Sequence, residues 1–185
     1  MSDFMQKAIK TTFLQLLEQK PLSQITVKMI VEECGINRNS FYYHYQDLPA
    51  LIEEIFQEQA DAIIESHPTI ESIEDALKIA ADFASKQRRA ILHVYNSVNR
   101  DIFEKYLWRV CDHVVTKYGE ALAVGKRISD EDRDLIGRFY KCECFGLMTL
   151  WLNENMNRNL TKDIERFCQL HRGMVEEMFH RCSEG

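Results

Sequence analysis

The stretch from Thr26 to Leu51 reads Thr-Val-Lys-Met-Ile-Val-Glu-Glu-Cys-Gly-Ile-Asn-Arg-Asn-Ser-Phe-Tyr-Tyr-His-Tyr-Gln-Asp-Leu-Pro-Ala-Leu. Thr26 is a helix N-cap by type, and Val27, Ile30, Val31 and Cys34 follow it at helical spacing. Gly35 stands where a helix stops in the left-handed conformation. Asn37 can cap a second, shorter helix in which Phe41 and Tyr45, four apart, share a face. Two short helices joined by a glycine turn make a helix-turn-helix, whose second helix enters the major groove of DNA. Ile36, Phe41 and Tyr45 would point at the helices before and after. That leaves Arg38, Asn39, Ser40, Tyr42, Tyr43 and His44 free. Arginine hydrogen-bonds guanine O6 and N7, asparagine pairs with adenine, and hydroxyls and rings suit phosphates, sugars and thymine methyls. The competing reading makes Phe41 to Tyr45 ordinary core aromatics. Four aromatics and a histidine in five residues cannot all be buried on one short helix, so DNA contact is preferred. Arg38 either reads a base or holds a phosphate.

Outward from this stretch the chain reads as helix nearly throughout. Phe4, Met5, Ala8, Ile9, Phe13, Leu16 and Leu17 recur at helical spacing before Pro21. Asp47 caps a fourth helix that tolerates Pro49 in its first turn and continues through Leu51, Ile52, Ile55, Phe56 and Ile63 to Pro68. Ser72 followed by Asp75 opens a run from Ile73 to Phe83, Ile91 to Val98 forms another apolar segment, and Ile102 to Tyr118 is sharply periodic. Ser129, followed by Asp130, Glu131 and Asp132, starts a helix that reaches about Asn153. Thr161 is expected to cap a last helix in which Ile164, Phe167, Cys168, His171, Met174, Val175, Met178 and Phe179 form one continuous stripe. No segment alternates with period two, so the expected fold class is all-α.

The 185 residues are 45% hydrophobic and 28% charged, with 3 prolines and 7 glycines, which excludes a disordered or collagenous chain. Six cysteines would suit a disulfide framework in a secreted domain, but Met1 to Lys10 lacks an apolar signal core, so reduced thiols and a cytoplasmic location are expected. Leu135 to Leu152, the most apolar long stretch, carries Arg138, Lys141 and Glu143, so no membrane span is expected. A net charge of -6 speaks against phosphate contact until it is divided along the chain. Residues 1–50 hold five bases (Lys7, Lys10, Lys20, Lys28, Arg38) and five acids (Asp3, Glu18, Glu32, Glu33, Asp47), so the acidity belongs entirely to residues 51–185.

The segment resembles the TetR (tetracycline-repressor) family of bacterial one-component regulators. The resemblance rests on Thr26 opening the second helix, on the Cys34-Gly35-Ile36 turn, on Ser40-Phe41-Tyr42-Tyr43-His44-Tyr45, and on Leu51 beginning the next helix's core. It implies an N-terminal three-helix helix-turn-helix DNA-binding domain, residues 1–46, followed by a helical effector-binding and dimerisation domain, residues 47–185. It further implies that Lys28, Arg38, Asn39, Ser40, Tyr43 and His44 face DNA, with Thr26 and Tyr42 on the phosphate backbone; Asn37 joins this candidate interface. One departure stands out. The family usually has a lysine just inside the fourth helix, near a phosphate, where this chain has Leu48 and Pro49. Leu48 either packs under the recognition helix or marks weaker operator affinity.

In the family the C-terminal part binds a small effector and dimerises through its last two helices. The apolar stripe on Thr161 to Cys182 and the apolar helix around Gly146 support a homodimer by four-helix packing, and a palindromic operator needs two recognition helices about 34 Å apart. The alternative is that both stripes close the chain's own core. Candidate effector contacts are Tyr95, Asn96, Trp108, Cys111, Phe139, Tyr140, Met148 and Trp151, which combine aromatic walls with polar tips. The acidic balance favours a cationic or neutral effector. Cys142 with Cys144, and Cys111 with His113, are each two apart on a helix and point about 200° away from one another, so no metal is expected. No cofactor is expected either, and no Ser/His/Asp order, HExxH or glycine-rich phosphate loop suggests an enzyme. The reading is a ligand-responsive regulator of double-stranded DNA, a repressor by default; the rival is an adaptor or coactivator that keeps the fold and binds another protein.

Overall fold

The computed structural model describes residues 2–70 and 72–184, with side-chain surroundings for 4–70 and 72–182. Its helices are α1 (Ser2–Gln19), α2 (Val27–Cys34), α3 (Arg38–His44), α4 (Leu48–Ser66), α5 (Ile73–Lys86), α6 (Arg88–Tyr95), α7 (Arg100–Ala123), α8 (Asp130–Asn153), α9 (Leu160–His171) and α10 (Met174–Glu184), with one 3-10 turn at Leu22–Gln24. Among the described residues there is no strand, and the fold is all-α. No helix of the described residues is long and apolar enough to cross a membrane.

The chain forms two compact units, neither of them a single stretch: Met1–Asp61 with Gln87–Tyr106, and Ala62–Lys86 with Leu107–Gly185. In the first, α1 packs on α2 and α6, and α2 on α3. Its core is the apolar stripe of α1 (Ile9, Phe13, Leu16, Leu17) closed by Ile30 and Val31 of α2, Phe41 of α3, Leu51 and Ile52 of α4, and Ala90 and Val94 of α6. The packed unit is therefore larger than residues 1–46: α4 and α6 complete it. In the second unit α5 packs on α9. Among its buried clusters are Ile70 with Ala76 and Val114, and Cys111 with Val115 and Cys144.

Three helix boundaries differ from expectation. The last helix is two helices, because Arg172 turns extended (ψ 128) and Gly173 lies at φ +83, a left-handed value through which helical hydrogen bonding does not propagate. The stripe from Ile164 to Phe179 is accordingly broken: Ile164, Val175 and Phe179 are buried, whereas Phe167 and Met174 are exposed. Asn159, not Thr161, caps α9, its side chain accepting from the Lys162 amide at 3.2 Å. The apolar segment expected to reach Val98 ends with α6 at Tyr95, and Val98 is 95% exposed.

Candidate nucleic-acid interface and effector cavities

The helix-turn-helix is built from local hydrogen bonds that the sequence supplies. Thr26 Oγ1 accepts the Met29 amide at 3.3 Å and starts α2. Gly35, at φ +66, ends it: the Gly35 amide donates to the Glu32 carbonyl and the Ile36 amide to the Val31 carbonyl, a Schellman pair that a side-chain-bearing residue would strain. Asn37 Oδ1 then accepts the Ser40 amide at 2.8 Å and starts α3. Phe41 and Tyr45 are buried, and Ile36 and Leu48 pack against the same core. Leu48 is thus half-buried against this core rather than free in solvent. Asp47 Oδ1 accepts the Ala50 amide at 2.9 Å, so α4 begins directly after α3.

With Phe41 and Tyr45 turned inward, Arg38, Asn39, Tyr42 and Tyr43 stand outward, Tyr43 at 82% exposure. Asn37, Asn39, Ser40, Tyr43 and His44 line one shallow depression with Met5 of α1. Thr26, Lys28, Arg38 and Tyr42 lie outside that depression. Two candidates are partly committed elsewhere: Ser40 Oγ donates to Asn37 Oδ1 at 3.2 Å, which leaves the Asn37 amide nitrogen to reach outward, and Lys28 pairs with Glu32 at 3.7 Å across one helical turn. Tyr43 and His44 meet edge to face at 5.0 Å.

A network that the sequence did not announce ties α3 to its neighbours. Lys10 of α1, its side chain 15% exposed, reaches Glu54 at 2.5 Å and Glu58 at 2.6 Å on α4, and Tyr45 Oη donates to Glu54 Oε1 at 3.3 Å. Burial works against the Lys10 ammonium, but the two carboxylates overcome it and hold it above the ordinary lysine range. Burial pushes the Tyr45 phenol up to about 12; Lys10 opposes this and Glu54 adds to it. One of the five bases counted for the reading head is therefore spent on packing.

The effector candidates are not gathered in one place. Tyr95 is buried in the first unit, where the Arg100 guanidinium lies 4.0 Å over its ring and donates to its hydroxyl, and Asn96 is exposed at the end of α6. Cys111 and Met148 are buried in the second unit, where Trp151 donates its indole N–H to the Arg158 carbonyl at 3.0 Å. Trp108 leans on Phe145, and Phe139 is 73% exposed. Two cavities of about 270 and 220 Å³ do open in the second unit, sharing Ile73, Tyr118, Tyr140 and Val175. Tyr140 is the candidate that lines them. Sequence reasoning missed Tyr118, Phe167 and His171 because they were read as members of apolar stripes.

The Cys111 and Cys144 thiols are buried rather than poised. Burial pushes Cys111 and Cys144 up to about 12 each, with Cys144 adding to the shift of Cys111 and Glu143 to that of Cys144. Among the described residues no three histidines, cysteines or acids are placed to hold a metal ion.

Family matches cover both the N-terminal and the C-terminal part of the chain. The family described as "Bacterial regulatory proteins, tetR family" matches residues 13–55, and the one described as "Transcriptional regulator C-terminal region", of the TetR type, matches residues 71–173. A relative from Bacillus subtilis (strain 168), the uncharacterized HTH-type transcriptional regulator YxbF, is 22% identical over 158 residues; the match covers 80% of this chain and 39% of that protein. The chain thus spans about two fifths of that relative's length. Among solved structures, the dihydroxyacetone kinase operon activator DhaS matches with TM-score 0.75 at 17% identity, over 93% of this chain and 96% of that one. NalD, the secondary repressor of the MexAB-OprM efflux pump in Pseudomonas aeruginosa, matches with TM-score 0.59 at 18% identity, over 97% of each chain. At such identities these structures speak for the fold. With a helix-turn-helix whose aromatic and polar face stands outward, and with matches on both its N-terminal and C-terminal parts, the chain belongs to the TetR family of transcriptional regulators.

Proposed function

We propose that the chain is a ligand-responsive transcriptional regulator, a repressor by default, that binds a palindromic operator as a homodimer in the cytoplasm. The observation that carries this is the division of α3: Phe41 and Tyr45 buried, Arg38, Asn39, Tyr42 and Tyr43 outward. Residues 1–46 would read DNA and residues 47–185 bind the effector and dimerise. α8 supports the dimer. Leu135, Phe139, Cys142, Gly146 and Leu150 recur at helical spacing along it and are all exposed, and a Cβ built at Gly146 meets open space. Such a stripe is more apolar than a lone helix face in water should be, and a second copy would cover it. Phe167 and Leu170 of α9 and Met174 of α10 are also exposed. Effector binding would act through α4, which runs from the first compact unit into the second and carries Glu54 against Tyr45. A small tilt of α4 would change the separation of the two reading heads. The test is a gel-shift of the pure protein on DNA upstream of its own gene, with Arg38→Ala and Tyr43→Ala as controls; binding unaltered in both variants would refute the reading face.

A second reading is kept by the charges. Lys10 is held in an ion-pair network and Lys28 is paired, while Leu48 replaces a phosphate-facing lysine, which leaves a reading head poor in free cations. In this reading the protein is an adaptor or coactivator that binds another regulator. DhaS, whose name is that of an operon activator, has the same fold. Absence of any salt-dependent gel-shift would favour it.

A further inference from the structure

The 220 Å³ cavity has an aromatic wall and an acidic rim. Phe167 and His171 of α9 stack with centroids 4.9 Å apart and 22° between their planes, and His171 meets Tyr140 of α8 edge-on at 6.3 Å. Tyr118 of α7 adds a fourth ring to the lining. Three carboxylates share it: Glu74, Glu143 and Glu176. Lys78 neutralises Glu74 at 2.6 Å. Glu143 and Glu176 have no lysine or arginine within ion-pair distance among the described residues, and the cation of the described lining is Arg172, at the turn between α9 and α10.

The field at the rings is negative. Burial first, and then Glu143 and Glu176, push the Tyr140 phenol up to about 12, while burial and then Glu176 raise that of Tyr118.

Ring faces attract cations, and unpaired carboxylates complement them. Ile73, Leu77, Leu147 and Val175 supply apolar surface for the rest of a ligand. An anion would be repelled, and a neutral apolar ligand would cover the carboxylates without pairing them.

We propose that this cavity is the effector site and that its ligand is a small organic monocation with an aromatic or branched apolar body, a quaternary or protonated tertiary amine. This rests on the regulator function proposed above. The ammonium lies among the Tyr140, Tyr118 and His171 rings with Glu143 and Glu176 as counter-charges, and the apolar body packs on the aliphatic side.

The test is isothermal titration calorimetry of the full-length protein with phenyltrimethylammonium, its neutral isostere tert-butylbenzene, and benzenesulfonate. The cation is expected to bind about tenfold or more tighter than the isostere, and the sulfonate not at all. The Glu143→Gln/Glu176→Gln double variant should weaken the cation about tenfold and leave tert-butylbenzene unchanged; both positions are exposed, so the fold should survive. Tyr140→Leu, checked for folding by circular dichroism, should also weaken the cation. Equal affinity for cation and isostere, or a cation affinity unchanged in the double variant, would overturn the proposal. A gel-shift on operator DNA separates the two claims. Cation binding that leaves operator affinity unchanged refutes the effector role, and intact operator binding with no cation binding refutes the cavity assignment alone.

Discussion

Tyr45, the residue that ends the recognition helix, donates its hydroxyl to Glu54 on α4 at 3.3 Å, and Glu54 in turn holds Lys10 of α1. The recognition helix is thus positioned both by its buried ring and by a polar link to the helix that follows it. Tyr45→Phe keeps the ring packing and loses the hydrogen bond, and should cost about 1 kcal/mol in urea unfolding. The Lys10→Met and Glu54→Gln substitutions should be non-additive, with a coupling of about 1 kcal/mol or less because the Glu54 side chain is 37% exposed and screened by solvent.

Arg38 and Tyr43 are exposed and structurally idle, whereas Asn37 caps α3. Arg38→Ala and Tyr43→Ala should change stability by less than about 0.5 kcal/mol, yet weaken operator binding by about 1–3 kcal/mol each. Asn37→Ala should instead lower stability by about 1 kcal/mol. Gel-shifts read beside urea titrations distinguish contact from cap.

The α8 stripe predicts the oligomer. Phe139→Glu combined with Leu150→Glu places charges on two exposed positions of one helix face, so the fold should hold and light scattering should report a monomer. Operator affinity should fall with it. A dimer undisturbed by both changes would place the interface elsewhere.

The thiols should react in a defined order. Cys142 is exposed on the single chain but lies on the α8 stripe that a second copy would cover, so it should react first in the Phe139→Glu/Leu150→Glu variant and more slowly in the dimer. Cys111 and Cys144, buried and pushed up to about 12, should stay unlabelled until the protein unfolds, since on the order of one in 10⁵ of such thiols is thiolate at neutral pH.

Alkaline pH should destabilise the protein. The unfolded thiols lose their protons near 9 and the folded Cys111 and Cys144 only near 12, so between those values the unfolded state binds fewer protons and stability falls as pH rises. Tyr45 acts in the same sense between 10 and 12. Urea unfolding at several pH values above 8 should show the decline, with a shallower slope in the Cys111→Ala/Cys144→Ala variant.

What could be read in advance was what adjacent residues settle among themselves. Thr26, Gly35, Asn37, Asp47, Ser72 and Ser129 each act within three or four positions, and each performs the cap or stop its type suggests. The break at Gly173 was locally available too, but an apolar stripe of period 3.6 persists in sequence across a turn that interrupts it in space. The effector candidates dispersed because apolar periodicity marks which face is inward without saying which inward faces leave a gap. Tyr95 and Tyr140 look alike in sequence; one is packed beneath Arg100, the other borders empty volume.

The sequence by itself determined an all-helical chain and a helix-turn-helix with Arg38, Asn39, Tyr42 and Tyr43 outward, because caps, glycine and the Phe41–Tyr45 spacing are short-range chemistry. Only the tertiary structure decided that Lys10 pairs with Glu54 and Glu58 of α4, that Leu48 lies against the core, and that Glu143 and Glu176 border an aromatic cavity. Those outcomes depend on groups 48 residues apart, as Lys10 and Glu58 are, meeting at bonding distance. Such meetings are set by how helices pack, and no periodicity within one helix encodes them.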